Sequence, residues 1–160
     1  MIFKIGYKTA TELYEEHRLA DLEQVLHTDF LDKTLFIKAL SHDSPYKNPL
    51  TSKKENKRLG IIGDKLIDLI LYDMLYRKDV PLMEMDNARK TTSKKEALNL
   101  ASRSLGLKPY LFYNDGTEER VKEESYSLFE DSIEAIVGAI YLDRGFNNAV
   151  KFVKEHIPIN

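Results

Sequence analysis

SLFEDSIEAIVGAIYLDRG, Ser127 to Gly145, is the stretch on which the reading of this chain turns. It is apolar on almost every side of a helix, as a segment enclosed by neighbours must be, and Gly145 offers it a stop. Yet it carries Asp131 and Glu134, three positions apart and therefore on one helical face. A second segment of the same kind, RLGIIGDKLIDLILYDMLYR, spans residues 58–77 and carries Asp64, with Pro81 ending the region. Two central helices with acids set among their core residues are thus expected. Burying a lone carboxylate is expensive, so acids in such helices need an explanation. If Asp64 faces Asp131 and Glu134, three carboxylates converge, and their repulsion raises their pKa values unless a cation lies between them. Magnesium takes such oxygen ligands together with waters and substrate phosphate. The alternative is that the acids lie on the solvent edge of amphipathic helices. Asp68 fits that alternative, and so does Glu130 as a helix-start charge.

The remaining segments are shorter. TELYEEHRLADLEQVL (11–26) has helical spacing, and Asp32 suits the cap of a helix over KTLFIKALSH, 33–42. SPYKNPLTSKKENK (44–57) reads as an exposed loop, and the charge-dense NDGTEERVKEE (114–124) as a solvated connection. NARKTTSKKEALNLASRSLG (87–106) reads as one helix stopped by Gly106, and NNAVKFVKEHI (147–157) as the last. Period-two alternation is confined to short stretches, so no sheet is expected and the class is all-α.

The 160 residues suffice for one domain with its own core. The absence of cysteine excludes disulfides, zinc–thiolate sites and cysteine nucleophiles. A net charge of −2 gives the whole chain no affinity for polyanions, which leaves local patches: Lys53, Lys54, Lys57 and Arg58, then Arg89, Lys90, Lys94 and Lys95. These read equally as phosphate contacts or as a solvated face. With neither a leader pattern nor a membrane-length apolar run, the chain reads as soluble and intracellular, cytoplasmic or nuclear sooner than secreted, an organelle being left open. Ser41, His42 and Asp43 are adjacent and cannot form a catalytic relay. His17, His27, His42 and His156 show no metal-ligand spacing. GIIG (60–63) resembles the GXXG loop of KH domains but lies inside an apolar helix, so Gly60 and Gly63 are expected to admit another backbone instead.

Four pieces, in order over about residues 20–155, resemble the ribonuclease III family. ALSHDS (39–44) is similar to its ALTHxS segment, and NKRLGIIGD (56–64) to its NERLEFLGD signature helix. ARKTTSKKEALNLASRSLGL resembles mRxxLVxxxxLxxLAxxLGL, and EDSIEAIVGAIYLDRGF (130–146) closely matches aDxxEAxxGAxYLDxGF. The resemblance implies an all-α, ribonuclease III endonuclease-domain-like helical fold over residues 20–160. Residues 1–19 read as a helical extension, and the double-stranded RNA-binding domain that the family often adds is not expected in this sequence. The resemblance also implies metal-assisted phosphodiester hydrolysis of double-stranded RNA in RNA processing, leaving two-nucleotide 3′ overhangs. Mg²⁺ is the implied cofactor, with Mn²⁺ able to substitute, and the implied assembly is a homodimer, with room for an accessory RNA-binding partner.

Carried over residue by residue, the resemblance makes Asp64 and Glu134 catalytic and Asp64, Asp131 and Glu134 metal ligands. Lys57, Lys53, Lys54, Arg89 and Lys94 become candidate phosphate contacts, and Ile61 takes the place of a phenylalanine that helps dimer packing. Gly60 stands where the family has a metal-binding glutamate, and Lys57 where it has a second glutamate. That exchange moves the local formal charge from −2 to +1, which implies weaker metal binding and reduced activity, although Gly60 leaves room for a water. The alternative is a catalytically inactive ribonuclease III-like module for RNA binding or structure, of the mitochondrial ribosomal-protein type.

Overall fold

A computed structural model of the chain describes residues 8–42, 50, 53–91, 94–113 and 128–158. Its helices are α1 (Ala10–Glu16), α2 (Leu19–Leu26), α3 (Lys33–Ala39), α4 (Lys53–Arg77), α5 (Leu82–Thr91), α6 (Lys94–Ser104), α7 (Leu128–Arg144) and α8 (Phe146–His156), with a 3-10 turn at Lys108–Tyr110. The fold is all-α. Among the described residues the only strand-like pairing is a single parallel bridge between Ser41 and Phe112.

The two apolar helices predicted as central are central, and α4 packs along α7 through the middle of the molecule. Leu59, Ile67 and Ile70 of α4 and Ile133, Ile136, Val137 and Ile140 of α7 are buried in one core. The crossing is set by glycine. A Cβ placed on Gly63 would stand 1.7 Å from the Glu134 carbonyl oxygen, and one on Gly138 would stand 2.2 Å from that of Leu59. Backbone therefore meets backbone, which only a residue without a side chain permits. Ser132 is tolerated in this core because its hydroxyl donates back to the Leu128 carbonyl at 2.7 Å.

Helices α3, α6 and α8 pack around α7. Asp32 caps α3 as expected, accepting from the Thr34 amide at 2.8 Å. The turn before it is held from α7, where the Asp143 carboxylate accepts from the amides of Leu31 (2.7 Å) and Asp32 (2.9 Å). Glu23 is buried because it is satisfied. It accepts from the Phe30 amide at 2.7 Å, the Lys33 ammonium at 2.9 Å and the Tyr14 hydroxyl.

Several boundaries differ from the sequence reading. The segment 11–26 is broken at His17 and Arg18, the latter left-handed at φ 53°. No glycine or proline marks this break, so periodicity alone ran through it. Residues 53–57, read as the end of a loop, form the first turn of α4. Lys and Glu are good helix formers, and the Asn56 side chain ties this turn to the Ala39 carbonyl at 2.6 Å. Pro81 opens α5 as well as ending α4, its carbonyl accepting from the Glu84 and Met85 amides at 2.9 and 3.0 Å. The single helix read over 87–106 is divided between α5 and α6, and Gly106, at φ 61°, follows the latter. The connection at 114–124 and most of the loop at 44–52 lie outside the described residues. Among the described residues, no helix is long and apolar enough to cross a membrane.

Candidate functional site

Positions 57, 60, 61 and 64 share one face of α4, and positions 131 and 134 share one face of α7. The glycine crossing brings the two faces together. Between them lies a cleft of about 570 Å³, with Asp64, Asp131 and Glu134 in its wall beside Asn56, Lys57, Gly60, Ile61 and Lys65. The three acids named from the sequence are thus gathered in one place. They do not lie scattered on separate solvent edges.

Gly60 does not admit a neighbouring backbone, contrary to expectation, whereas Gly63 does. A Cβ on Gly60 would stand 3.9 Å from both Glu134 Oε2 and the Asp131 carbonyl oxygen, an ordinary contact distance. A Cβ at position 60 would meet the Glu134 side chain and the Asp131 backbone without a clash. Next to it, Asn56 is fully buried and its Oδ1 has no hydrogen-bond partner, an acceptor left over in the cleft wall.

The electrostatics are those of crowded acids. Burial first, then the charges of Asp64, Asp131 and Glu130, push Glu134 up to about 7, with Lys94 acting against them. Burial also raises Asp64, but Lys94 and Lys65 outweigh it and hold that carboxyl below its usual range. Lys94, predicted as a phosphate contact, is engaged here with the acids. Its ammonium donates to the Asp64 carboxylate, to the Asp64 carbonyl at 3.1 Å and to Asp68 Oδ1 at 2.9 Å. Burial disfavours the charge on Lys94, yet the bonds to Asp64 and Asp68 raise its pKa overall. Any phosphate would compete with those carboxylates for it.

Asp68, assigned from the sequence to the solvent edge, is therefore a half-buried part of the site. Glu130 is also half-buried, bonded to Asn99 at 2.9 Å, and burial raises its pKa. His42 was missed. It is 1% exposed, with Nε2 3.8 Å from Asp131 Oδ2. The ALSHDS piece placed this histidine in a recognisable segment, but nothing local linked it to Asp131 across some ninety residues of chain. Lys54 and Lys57 are exposed, while the side chains of Lys53 and Arg89 lie outside the described set. Ile61 is 67% exposed at the mouth of the cleft.

The reading that the four histidines show no metal spacing holds along the chain and fails in space. The rings of His27 and His156 stand 5.7 Å apart, with Glu155 beside them.

The donor chemistry of the cleft suits an oxygen-seeking divalent cation. Three carboxylates face it, one of them poorly able to ionise as the acids stand, and an unpartnered amide oxygen lies beside space that position 60 leaves open. The crowding of these acids is measurable. Between its ordinary pKa and about 7, the folded Glu134 holds a proton that the unfolded chain has lost. Stability in a chelating buffer should therefore fall as pH rises through that window. Glu134→Gln should flatten the fall. Thermal melts of the two proteins from pH 5 to pH 8 check this, and parallel curves would refute it.

An all-α domain whose two central helices cross at glycines and enclose a cation-ready acid cleft defines a class, and three comparisons place the chain within it. Residues 32–159 match the family described as Ribonuclease-III-like. Ribonuclease 3 of Borreliella afzelii is 36% identical over 140 residues, which cover 85% of this chain and 56% of that protein. Ribonuclease 3 of a Sulfurovum species is 32% identical over 145 residues, 87% of this chain and 63% of that protein. The chain thus spans somewhat more than half the length of these curated relatives. A solved nuclease domain of ribonuclease III from Campylobacter jejuni, described for structural flexibility in the region involved in dimer formation, superimposes with a TM-score of 0.74 at 30% identity. The superposition covers 88% of this chain and 99% of that one. The chain belongs to the ribonuclease III family.

Proposed function

We propose that this chain is an endoribonuclease domain that hydrolyses double-stranded RNA with a divalent cation, Mg²⁺ or Mn²⁺, in RNA processing inside the cell. The observation that carries the reading is the convergence of Asp64, Asp131 and Glu134 on one cleft, with Glu134 raised to about 7. Acids so placed are costly to the fold and are explained by the cation they would hold.

Asp64, Asp131 and Glu134 are the ligands in this reading, and Asp64 and Glu134 act on the reacting phosphodiester. A cation held by these residues would supply charge neutralisation at the phosphate and activation of water. The chain's own residues do the rest. Lys94 holds Asp64 ionised and oriented, and His42 lies against Asp131 on the side away from solvent. Lys57, exposed at the cleft, meets a phosphate as a point charge, joined by Lys54 and by Lys53 and Arg89. A-form RNA is read through phosphates and 2′-hydroxyls, so sequence preference should be small. Cutting by two such clefts across the minor groove gives two-nucleotide 3′ overhangs.

Two clefts require two copies. Ile61, Leu69 and Tyr76 lie on one stripe of α4 at 67%, 54% and 78% exposure. We assign that stripe to a second copy of the chain. The solved relative is described in terms of dimer formation by its nuclease domain, which supports the assignment.

The test is cleavage of a long, end-labelled RNA duplex with Mg²⁺ and separately with Mn²⁺. Discrete products from the duplex, and none from either single strand, are expected. A folded, RNA-bound protein that cuts in neither metal would favour the catalytically inactive module. Gly60→Glu is the informative variant. A carboxylate entering the open space should tighten the divalent site and lower the Mg²⁺ needed for half-maximal cleavage by about tenfold. An unchanged metal requirement would show that position 60 does not limit this chain.

A further inference from the structure

Outside the acid cleft, two helices end at one point. Helix α2 stops at Leu26, and His27 follows it in the left-handed region at φ 50°. Helix α8 stops at His156, whose Nε2 lies 3.2 Å from the Leu26 carbonyl oxygen. The His27 ring meets the carboxylate of Glu155 through Nδ1, and its centroid stands 5.7 Å from that of His156. Each of the three side chains offers a ligand atom, and these atoms lie within 4.8 Å of one another.

We propose that His27, Glu155 and His156 form a binding site for a divalent cation of the zinc class, which clips α2 to the end of α8. Three features of the place support it. Helix C-termini carry partial negative charge, and two of them converge here, which favours a cation. The contact of His156 with a backbone carbonyl is the kind of bond that orients metal-binding imidazoles and fixes their tautomer. The Phe152 ring, 4.8 Å from that of His156, holds the imidazole from its other side.

The chemistry of the set selects the metal. Two imidazoles and one carboxylate suit zinc, nickel or cobalt, whereas magnesium prefers oxygen throughout. Ligands around a tetrahedral zinc stand about 3.3 Å apart, so the set has to close by at most about 1.5 Å. His27 can supply that movement together with Glu155, its side chain being 60% exposed. The fourth position then faces solvent.

The test is calorimetric titration of the full chain with Zn²⁺, in excess Mg²⁺, for wild type, His27→Ala and Glu134→Gln. One Zn²⁺ per chain is expected for wild type and equally for Glu134→Gln, with binding at least about thirtyfold weaker in His27→Ala. Zn²⁺ should raise the Tm of wild type and leave that of His27→Ala unmoved, since only a site in the folded state stabilises by binding. Equal affinity in wild type and His27→Ala would overturn the proposal. So would loss of the site in Glu134→Gln, which would place the metal in the acid cleft, or the absence of Zn²⁺ binding to wild type.

Discussion

Glu134→Gln should reduce cleavage of duplex RNA by about a thousandfold or more, equivalent to about 4 kcal/mol of transition-state stabilisation. The substitution keeps the shape of the side chain and removes the charge that a divalent cation would find. Its cause is local, because burial first, and then the charges of Asp64, Asp131 and Glu130, push Glu134 up to about 7. The fold should gain from the same change. Above pH 7 the glutamine no longer repels Asp64 and Asp131, so the variant should melt no lower than wild type in chelating buffer and higher at pH 8. Activity and stability moving in opposite directions is the signature of a functional acid, which a structural one would not give. Single-turnover cleavage at saturating metal, beside melts of the same samples, separates the two. A rate within tenfold of wild type would remove Glu134 from the catalytic machinery.

Among the described glycines, Gly63→Ala should be the most damaging added methyl. It drives a Cβ to 1.7 Å from the Glu134 carbonyl oxygen, and helix backbone cannot yield as a flexible side chain would. Overpacking of this kind costs about 3 kcal/mol or more. For a domain of this size the Tm should fall by roughly 6–12 °C. Gly106→Ala is the control. It sits at φ 61° with nothing within 4 Å of an added Cβ, so its cost is the left-handed backbone alone, about 1 kcal/mol. Denaturant titrations should rank the two variants in that order. A Gly63→Ala protein as stable as the Gly106→Ala control would mean that α4 and α7 can part without loss.

Much of this architecture could be read from residues in order, because the information was local. The two central helices announced themselves by apolar residues on all sides, and Asp131 and Glu134 by a spacing that only a helix turns into one face. Asp64 joined them by kinship of pieces, since nothing in its own segment said which helix it would meet. What could not be read depended on distant partners or lacked a local marker. The break at His17 and Arg18 uses a left-handed residue that is not glycine. The first turn of α4 looks like loop until Asn56 finds the Ala39 carbonyl. Lys94 seemed free for phosphate until Asp64 and Asp68, about thirty residues earlier, took hold of it. His27 and His156 are separated by most of the chain, and no spacing rule spans that distance.

The glycine crossing has a bearing on how such a chain can diverge. Because α4 and α7 touch through their backbones at Gly63 and Gly138, the gap between the acid-bearing faces does not depend on the volume of the surrounding side chains. Core residues on either helix can be exchanged over generations without widening or narrowing that gap. The number of charges facing it can then change one at a time while the spacing of those that remain is preserved, so an acid can be added to or removed from the cleft wall by a single substitution without rebuilding the fold.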